Sequence, residues 1–345
     1  MAILFDGPVT PADLTTFVRE VPTPRDLTFL NAFPARYLTS NTVDFGEIVK
    51  TNRTARFRSF DGRIHVSQRD GGSDKRVKLL PLGSSKGMGE YERLQLEFAR
   101  TGGTNVDALA QAVYNDGQSL TEEVQNRLEL AWGDVLTDGI LTINEEGFQG
   151  EADFGVPANQ KVAPSTLWTT TATATALSDY IAWCDVYAAA NGGVPGAART
   201  SQRIVRLMQQ NAQIVGAVHG STSGKTRVNI DELNGLLASE GVPTVTVVKN
   251  KTFDVDGTAT PVLADDRILF TPEDLGDLGY TAWGVSATAL ELVDSNKADL
   301  AFEDAPGIVG VIEKDGPPYR QQTFVDAVAM PILEQPKLLM IADVA

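Results

Sequence analysis

The chain has 345 residues, a formal charge of −16, 42% hydrophobic residues and a single cysteine, Cys184. That length exceeds what one core needs and points to two domains, or to one domain elaborated by arms. The acidity argues against a general nucleic-acid-binding surface, the lone cysteine excludes an intrachain disulfide or a thiolate metal cluster, and no apolar run of about eighteen residues offers a membrane span.

The opening Met-Ala-Ile-Leu-Phe-Asp-Gly-Pro lacks the basic region and long apolar stretch of a signal peptide, so synthesis in the cytosol is expected. Pro8, Pro11, Pro22, Pro24 and Pro34 punctuate the first fifty residues, leaving room for one short helix in an extended arm. Thr10 as N-cap, Pro11 at the first helical position and Asp13 in the first turn start that helix, and Val21-Pro22-Thr23-Pro24 stops it.

Charge then concentrates. Residues 51–86 hold nine basic side chains, Arg53, Arg56, Arg58, Arg63, Arg69, Lys75, Arg76, Lys78 and Lys86, against Asp61, Asp70 and Asp74. This local excess implies a basic arm that lies on an acidic surface, its own or that of a neighbouring copy. Alternation around Phe57 and Ile64, with turns at Asp61-Gly62 and Asp70-Gly71-Gly72, predicts a long β-hairpin over 54–82. It carries too few large apolar residues for a core of its own and therefore needs a surface. Leu94, Leu96 and Phe98 alternate with polar residues and are expected to form the strand that returns to the body.

Val106, Leu109, Ala110, Val113 and Tyr114 repeat at helical spacing up to Gly117, and Ser119 with Glu122 reads as a capping box before Leu120, Val124, Leu128, Ala131 and Val135. Together these predict a long helical spine, kinked at Asp116-Gly117 and stopped at Gly139. A strand pair is expected over 139–154, and the Thr/Ala-rich stretch 169–176 reads as a connection between domains. Beyond it the pattern is mixed α/β, with helices over 177–190, 201–212 and 230–239, strands over 244–248, 267–270 and 280–283, and a hairpin turn at Asp256-Gly257. Closing strands over 308–312, 320–329 and 337–341 are expected to rejoin the sheet begun near Ile140, which would make one domain an insertion in another.

Catalytic signals are sparse. The stretch from Gly220 to Thr226 is one residue short of a phosphate-binding loop, with His219 where the first glycine is required, and Arg227-Val228-Asn229 looks strand-like where a helix start is needed. A flexible polar loop is the expected reading. His65 and His219 stand far apart, Asp254-Val255-Asp256-Gly257 lacks the later ligands of a calcium loop, and Cys184 is expected to be a buried small hydrophobe.

Four stretches carry a family likeness. They are Pro195-Gly-Ala-Ala-Arg199-Thr200-Ser201 leading into Ile204 and Leu207, and Val228-Asn-Ile-Asp-Glu-Leu233 leading into Gly241-Val-Pro-Thr-Val. The others are Arg267-Ile-Leu-Phe-Thr-Pro272 with Gly279-Tyr-Thr-Ala-Trp-Gly284, and Phe324-Val-Asp-Ala-Val-Ala-Met-Pro331 with the closing Pro336-Lys-Leu-Leu-Met-Ile-Ala-Asp-Val344. In number and order these resemble the lambda-type major capsid proteins of tailed phages, the major capsid protein E family.

The resemblance implies an α+β tailed-phage major-capsid-protein fold. Its expected parts are an N-terminal arm (1–50), an extended β-hairpin E-loop (51–100), a peripheral domain with a long spine helix and β-sheet (101–176), an inserted α/β axial domain (177–293) and a return to the peripheral sheet (294–345). It implies a non-catalytic subunit forming the hexamers and pentamers of an icosahedral shell around double-stranded DNA, assembled in the host cytoplasm and residing in the virion. Implied partners are a separate scaffolding protein, a portal protein, a decoration protein and DNA held without sequence-specific contacts; no cofactor, metal or membrane is implied. The intersubunit E-loop contacts would fall on the nine basic residues named above. Two other readings stay open: an encapsulin-like compartment, and an α/β nucleotide-binding protein using the 220–226 loop.

Overall fold

The computed structural model describes residues 3–4, 9–48, 72–102, 107–145, 148–220, 224–255, 257–295, 300–315 and 320–345. The chain begins with β1 (Ile3–Leu4), α1 (Pro11–Glu20), α2 (Thr28–Ala32), β2 (Ala35–Tyr37) and β3 (Thr42–Ile48). Next come β4 (Gly72–Lys78), β5 (Pro81–Met88), α3 (Glu90–Thr101), α4 (Ala108–Asp138), β6 (Ile140–Glu145) and β7 (Phe148–Asp153). The middle holds β8 (Lys161–Val162), α5 (Ala176–Asn191), β9 (Ala197–Thr200), α6 (Gln202–Gln210), α7 (Ala212–His219), α8 (Ile230–Ser239) and β10 (Val245–Val247). The last third adds β11 (Thr252–Val255), β12 (Thr258–Pro261), β13 (Arg267–Thr271), β14 (Gly279–Trp283), α9 (Ala287–Ser295), β15 (Val309–Asp315), β16 (Arg320–Leu333) and β17 (Met340–Asp343).

Local chemistry sets many helix ends. Thr10 accepts the Asp13 amide at the start of α1, with Pro11 inside the first turn, as the sequence predicts. Helix α4 closes on Gly139, whose φ of +80° suits glycine and lets its amide reach the Val135 carbonyl. At α8, Asn229 accepts the Glu232 amide while the Glu232 carboxylate accepts the Asn229 amide, a complete capping box. Asn229→Ala is expected to cost about 1 kcal/mol of stability, read as a lower denaturant midpoint.

Two sheets organise the rest. The first is built on the 14-residue β16, which pairs antiparallel with β15, β5 and β14; β1 extends it beyond β15, and β2 lies parallel to β14. Helix α4 packs against β16 and joins two cores. Val113, Leu120, Val124 and Leu128 meet α1 residues Leu14 and Val18, whereas Trp132, Val135 and Leu136 enter the largest core beside Phe33, Met330 and Ile332. The Trp132 ring stacks on Phe33, and its indole N–H donates to the Thr281 hydroxyl at 2.9 Å.

The second sheet has the order β10-β9-β13-β17-β8 and is mixed, with β10 parallel to β9, β8 parallel to β17, and antiparallel pairs between. Its two-residue period divides side chains between two cores. Leu269 and Ile341 face the α4 core, while Ile268, Phe270, Met340 and Ala342 face a core made with α5, α6, α7 and α8. This sheet is thus the shared wall between the two halves.

Several expectations are corrected. Residues 90–101 form α3, not a return strand: up to Arg100 the segment has no β-branched residue, and Tyr91, Leu94 and Phe98 repeat at helical spacing. The paired stem of the hairpin is β3 with β4, in register from Thr42 opposite Lys78 to Ile48 opposite Gly72, so pairing begins inside the segment read as arm. Residues 81–88 leave the hairpin and pair with β16. The alternating stretch 54–70 lies outside the described residues. The first fifty residues hold a second helix, α2, as well as the short β2.

The spine is one unbroken helix through Gly117, where Leu14 of α1 packs so closely that a side chain would crowd it. The Ser119 and Glu122 pattern consequently caps nothing; the Gln118 side-chain Nε2 donates to the Glu122 carboxylate instead. The closing strands do not join Ile140: β6 and β7 form a separate hairpin, β15 and β16 build the first sheet and β17 the second. Residues 280–283, read with the α/β insertion, pair with β16. Residues 201–212 break into α6 and α7 at Asn211, whose side chain accepts the Gln213 and Ile214 amides as an N-cap.

Candidate assembly surface

Of the nine basic residues, Arg53, Arg56, Arg58, Arg63 and Arg69 lie outside the described residues. The remaining four sit at the root of the arm. Lys75, Arg76 and Lys78 are on β4 opposite Phe45, Asp44 and Thr42, and Lys86 is on β5 opposite Thr323. Arg76 and Lys78 are exposed and line one side of a cleft of about 380 Å³ whose other side includes Glu151 and Asp153 of β7. The Lys86 ammonium stands 3.9 Å from the Asp116 carboxylate of α4. The root of the arm therefore finds acidic company on its own chain, and only the part beyond the stem is left to explain the excess charge.

The ground beside Lys86 is acidic. Burial raises the Asp116 carboxyl above its ordinary range; Lys86 pulls it down and Glu92 of α3 pushes it up. Nearby, the Ser84 hydroxyl donates to Glu123 of α4. Residues 89–124 carry seven carboxylates against two arginines. This surface includes the outward face of α3, where Tyr91 is 74%, Leu94 46% and Phe98 70% exposed. Scattered exposed apolar residues are ordinary, but three on one helical face mark a surface to be covered. The helical spacing of these three was the available sequence signal; the alternating reading concealed it.

Helix α1 is locked to the body by Arg19, whose guanidinium donates to the carbonyls of Asp304 at 2.8 Å and Ile308 at 2.9 Å, with Ala305 and Pro306 at 3.3 and 3.4 Å. Burial lowers its pKa, opposed by Tyr37 and Asp304. Below it opens a cavity of about 460 Å³ bounded by Leu30, Phe33, Tyr37 and Trp283.

Cys184 is buried in α5, and burial pushes its thiol up to about 12, so it is an inert core residue. His65 lies outside the described residues, and His219 ends α7, 3.6 Å from Glu232. The Asp254 carboxylate accepts the Gly257 amide, which is turn chemistry. Among the described residues no cluster of three His, Cys, Asp or Glu could hold a metal, and no helix is long and apolar enough to cross a membrane.

The 220–226 loop joins α7 to α8, with Ser221, Thr222 and Ser223 outside the described residues. Residues 227–229 are not a strand: α8 begins at Ile230, and the Glu232 amide of its first turn donates to the side chain of Asn229. Lys225 lies 3.5 Å from His219 on an exposed surface. Lys225→Ala is expected to leave assembly unchanged and reveal no nucleotide affinity by titration calorimetry in either form; affinity lost with that side chain would revive a nucleotide site.

No curated protein matches the chain. Among solved structures, a prophage protein of E. coli CFT073 described as a capsid protein aligns with a TM-score of 0.63 at 13% identity, covering 100% of both chains. A phage-related protein of Bordetella bronchiseptica RB50 aligns with a TM-score of 0.50 at 15% identity over 98% of both chains. At these identities the likeness establishes a shared fold. The family model for phage major capsid protein E matches residues 10–344, and the chain belongs to that family.

Proposed function

We propose that copies of this chain form the hexamers and pentamers of an icosahedral shell around double-stranded DNA, and that the part of each basic arm beyond its stem, Arg53 through Arg69, contacts an adjacent copy. Membership of the phage major capsid protein E family over residues 10–344 carries the reading: the chain is a structural shell protein that works as a homo-oligomer in the virion. The charge distribution supports the finer part. An arm with a large basic excess, on a chain of charge −16, gains most by lying on another acidic copy.

A net acidic subunit also suits a container for DNA, because a wall that repels phosphate leaves the packaged polymer free to slide. Assembly takes place in the host cytoplasm on a separate scaffolding protein, with a portal protein at one vertex and a decoration protein outside. The subunit itself performs no catalysis.

Sedimentation velocity tests this directly on wild-type protein and on a variant with Arg53, Arg56, Arg58, Arg63 and Arg69 replaced by glutamate. The wild type is expected to sediment as large assemblies and the variant as folded single chains. Assembly of the variant at wild-type yield would remove the arm from the contact, and single chains from the wild type both alone and expressed with a scaffolding protein would contradict shell formation. Strong, salt-sensitive DNA binding by the dispersed subunit would contradict the repelling wall.

A further inference from the structure

Helix α3 is amphipathic, yet none of its described residues is buried. It packs on α4, its partly buried positions include Leu96 and Ala99, and it presents Tyr91, Leu94 and Phe98 outward at positions i, i+3 and i+7. These are three of the nine large hydrophobic side chains exposed among the described residues, all on twelve residues of helix. Glu90 and Glu92 flank the stripe, and Asp116 of α4 adds to the same negative field.

The chain also holds a matching segment. Residues 53–69 interleave Arg53, Arg56, Arg58, Arg63 and Arg69 with Phe57, Phe60, Ile64 and Val66, offering cations for the carboxylates and apolar side chains for the stripe. A closed ring of identical subunits related by rotation uses two different, complementary patches on each chain, because every copy gives one and receives the other. The basic arm and the α3 face are such a pair.

Resting on the shell reading above, we propose that the outward face of α3, Tyr91, Leu94 and Phe98 beside Glu90, Glu92 and Asp116, is the surface on which residues 53–69 of a second copy of this chain lie. The aromatic and leucine side chains supply the desolvated centre of the contact and the carboxylates a charged rim that fixes its register.

Leu94→Cys offers a specific probe, because the other thiol, Cys184, is buried and held at about 12. A benzophenone attached at position 94 is activated by light in particles assembled from equal parts of unlabelled and nitrogen-15 protein, and cross-linked peptides are read by mass spectrometry. The expected result is a link from position 94 to residues 53–69, with mixed-isotope pairs about as abundant as uniform ones. Links to residues 53–69 only within one isotope, meaning the chain's own arm, or links to another segment or a scaffold, would overturn the proposal while leaving shell formation intact.

A second variant, Tyr91→Ser with Leu94→Ser and Phe98→Ser, should keep the circular dichroism of the wild type but lose at least tenfold in assembled yield. Undiminished assembly would overturn the proposal. Wild-type protein that forms no particles would instead strike at the shell reading on which it rests.

Discussion

Gly133→Ala is expected to destabilise the subunit by about 3 kcal/mol, although alanine is the better helix former. In an exposed helix interior that exchange gains about 1 kcal/mol. Here the backbone of α4 runs against the carbonyl of Val262, and a Cβ at position 133 would fall far inside van der Waals contact with that oxygen. Main chain on both sides must separate, and overpacking a filled core, with the side-chain and backbone shifts it forces, costs about 1–3 kcal/mol. The control is Gly235→Ala in α8, where a Cβ meets nothing within 4 Å. That variant should be more stable by up to about 1 kcal/mol. Denaturant midpoints of the dispersed subunits check the opposite signs, and two shifts of the same sign would contradict the packing described.

Glu129→Ala is expected to cost about 3 kcal/mol through a different mechanism. The side chain of Glu129 is only 2% exposed, and its two oxygens accept the backbone amides of Phe29 at 3.0 Å and Leu30 at 2.6 Å. This carboxylate clamps the start of α2 to the spine, and its loss leaves buried donors unsatisfied at about 1–3 kcal/mol each. Burial raises its pKa; the amides and Lys251 pull it down without offsetting burial. The folded chain therefore holds this proton to a higher pH than the unfolded chain does. The stability due to this shift is present below the ordinary carboxylate range and is lost as pH rises through the folded value. Relative to Glu129→Gln, which cannot titrate, the wild type should lose ground as pH rises above the ordinary carboxylate range. A wild-type advantage that grows over that rise would contradict the assignment.

Elements defined by neighbouring residues were legible in the sequence. Thr10 with Pro11 starts α1, Gly139 ends the spine, and the helical spacing over 230–239 matches α8. What pairs with what was not legible, because strand partners depend on residues hundreds of positions apart. Gly279–Trp283 reads like any apolar strand, and only the pairing of Trp283 with Ala329 places it in the first sheet. Alternation in β17 could not disclose that Ile341 and Met340 serve different cores. Glu129 looked like one more polar residue of a long helix, since nothing local says that α2 will bring its amides there. At the candidate surface the charge excess of the arm was plain from composition, whereas its proposed receiving face was hidden by reading Leu94 and Phe98 as a strand.

A chain of this family is expected to surround a volume with copies of itself. Electron microscopy of the purified protein, alone and expressed with a scaffolding protein, tests that property most directly. Closed shells, or rings of five and six copies, are the expected particles. A uniform field of single chains under both conditions would contradict it.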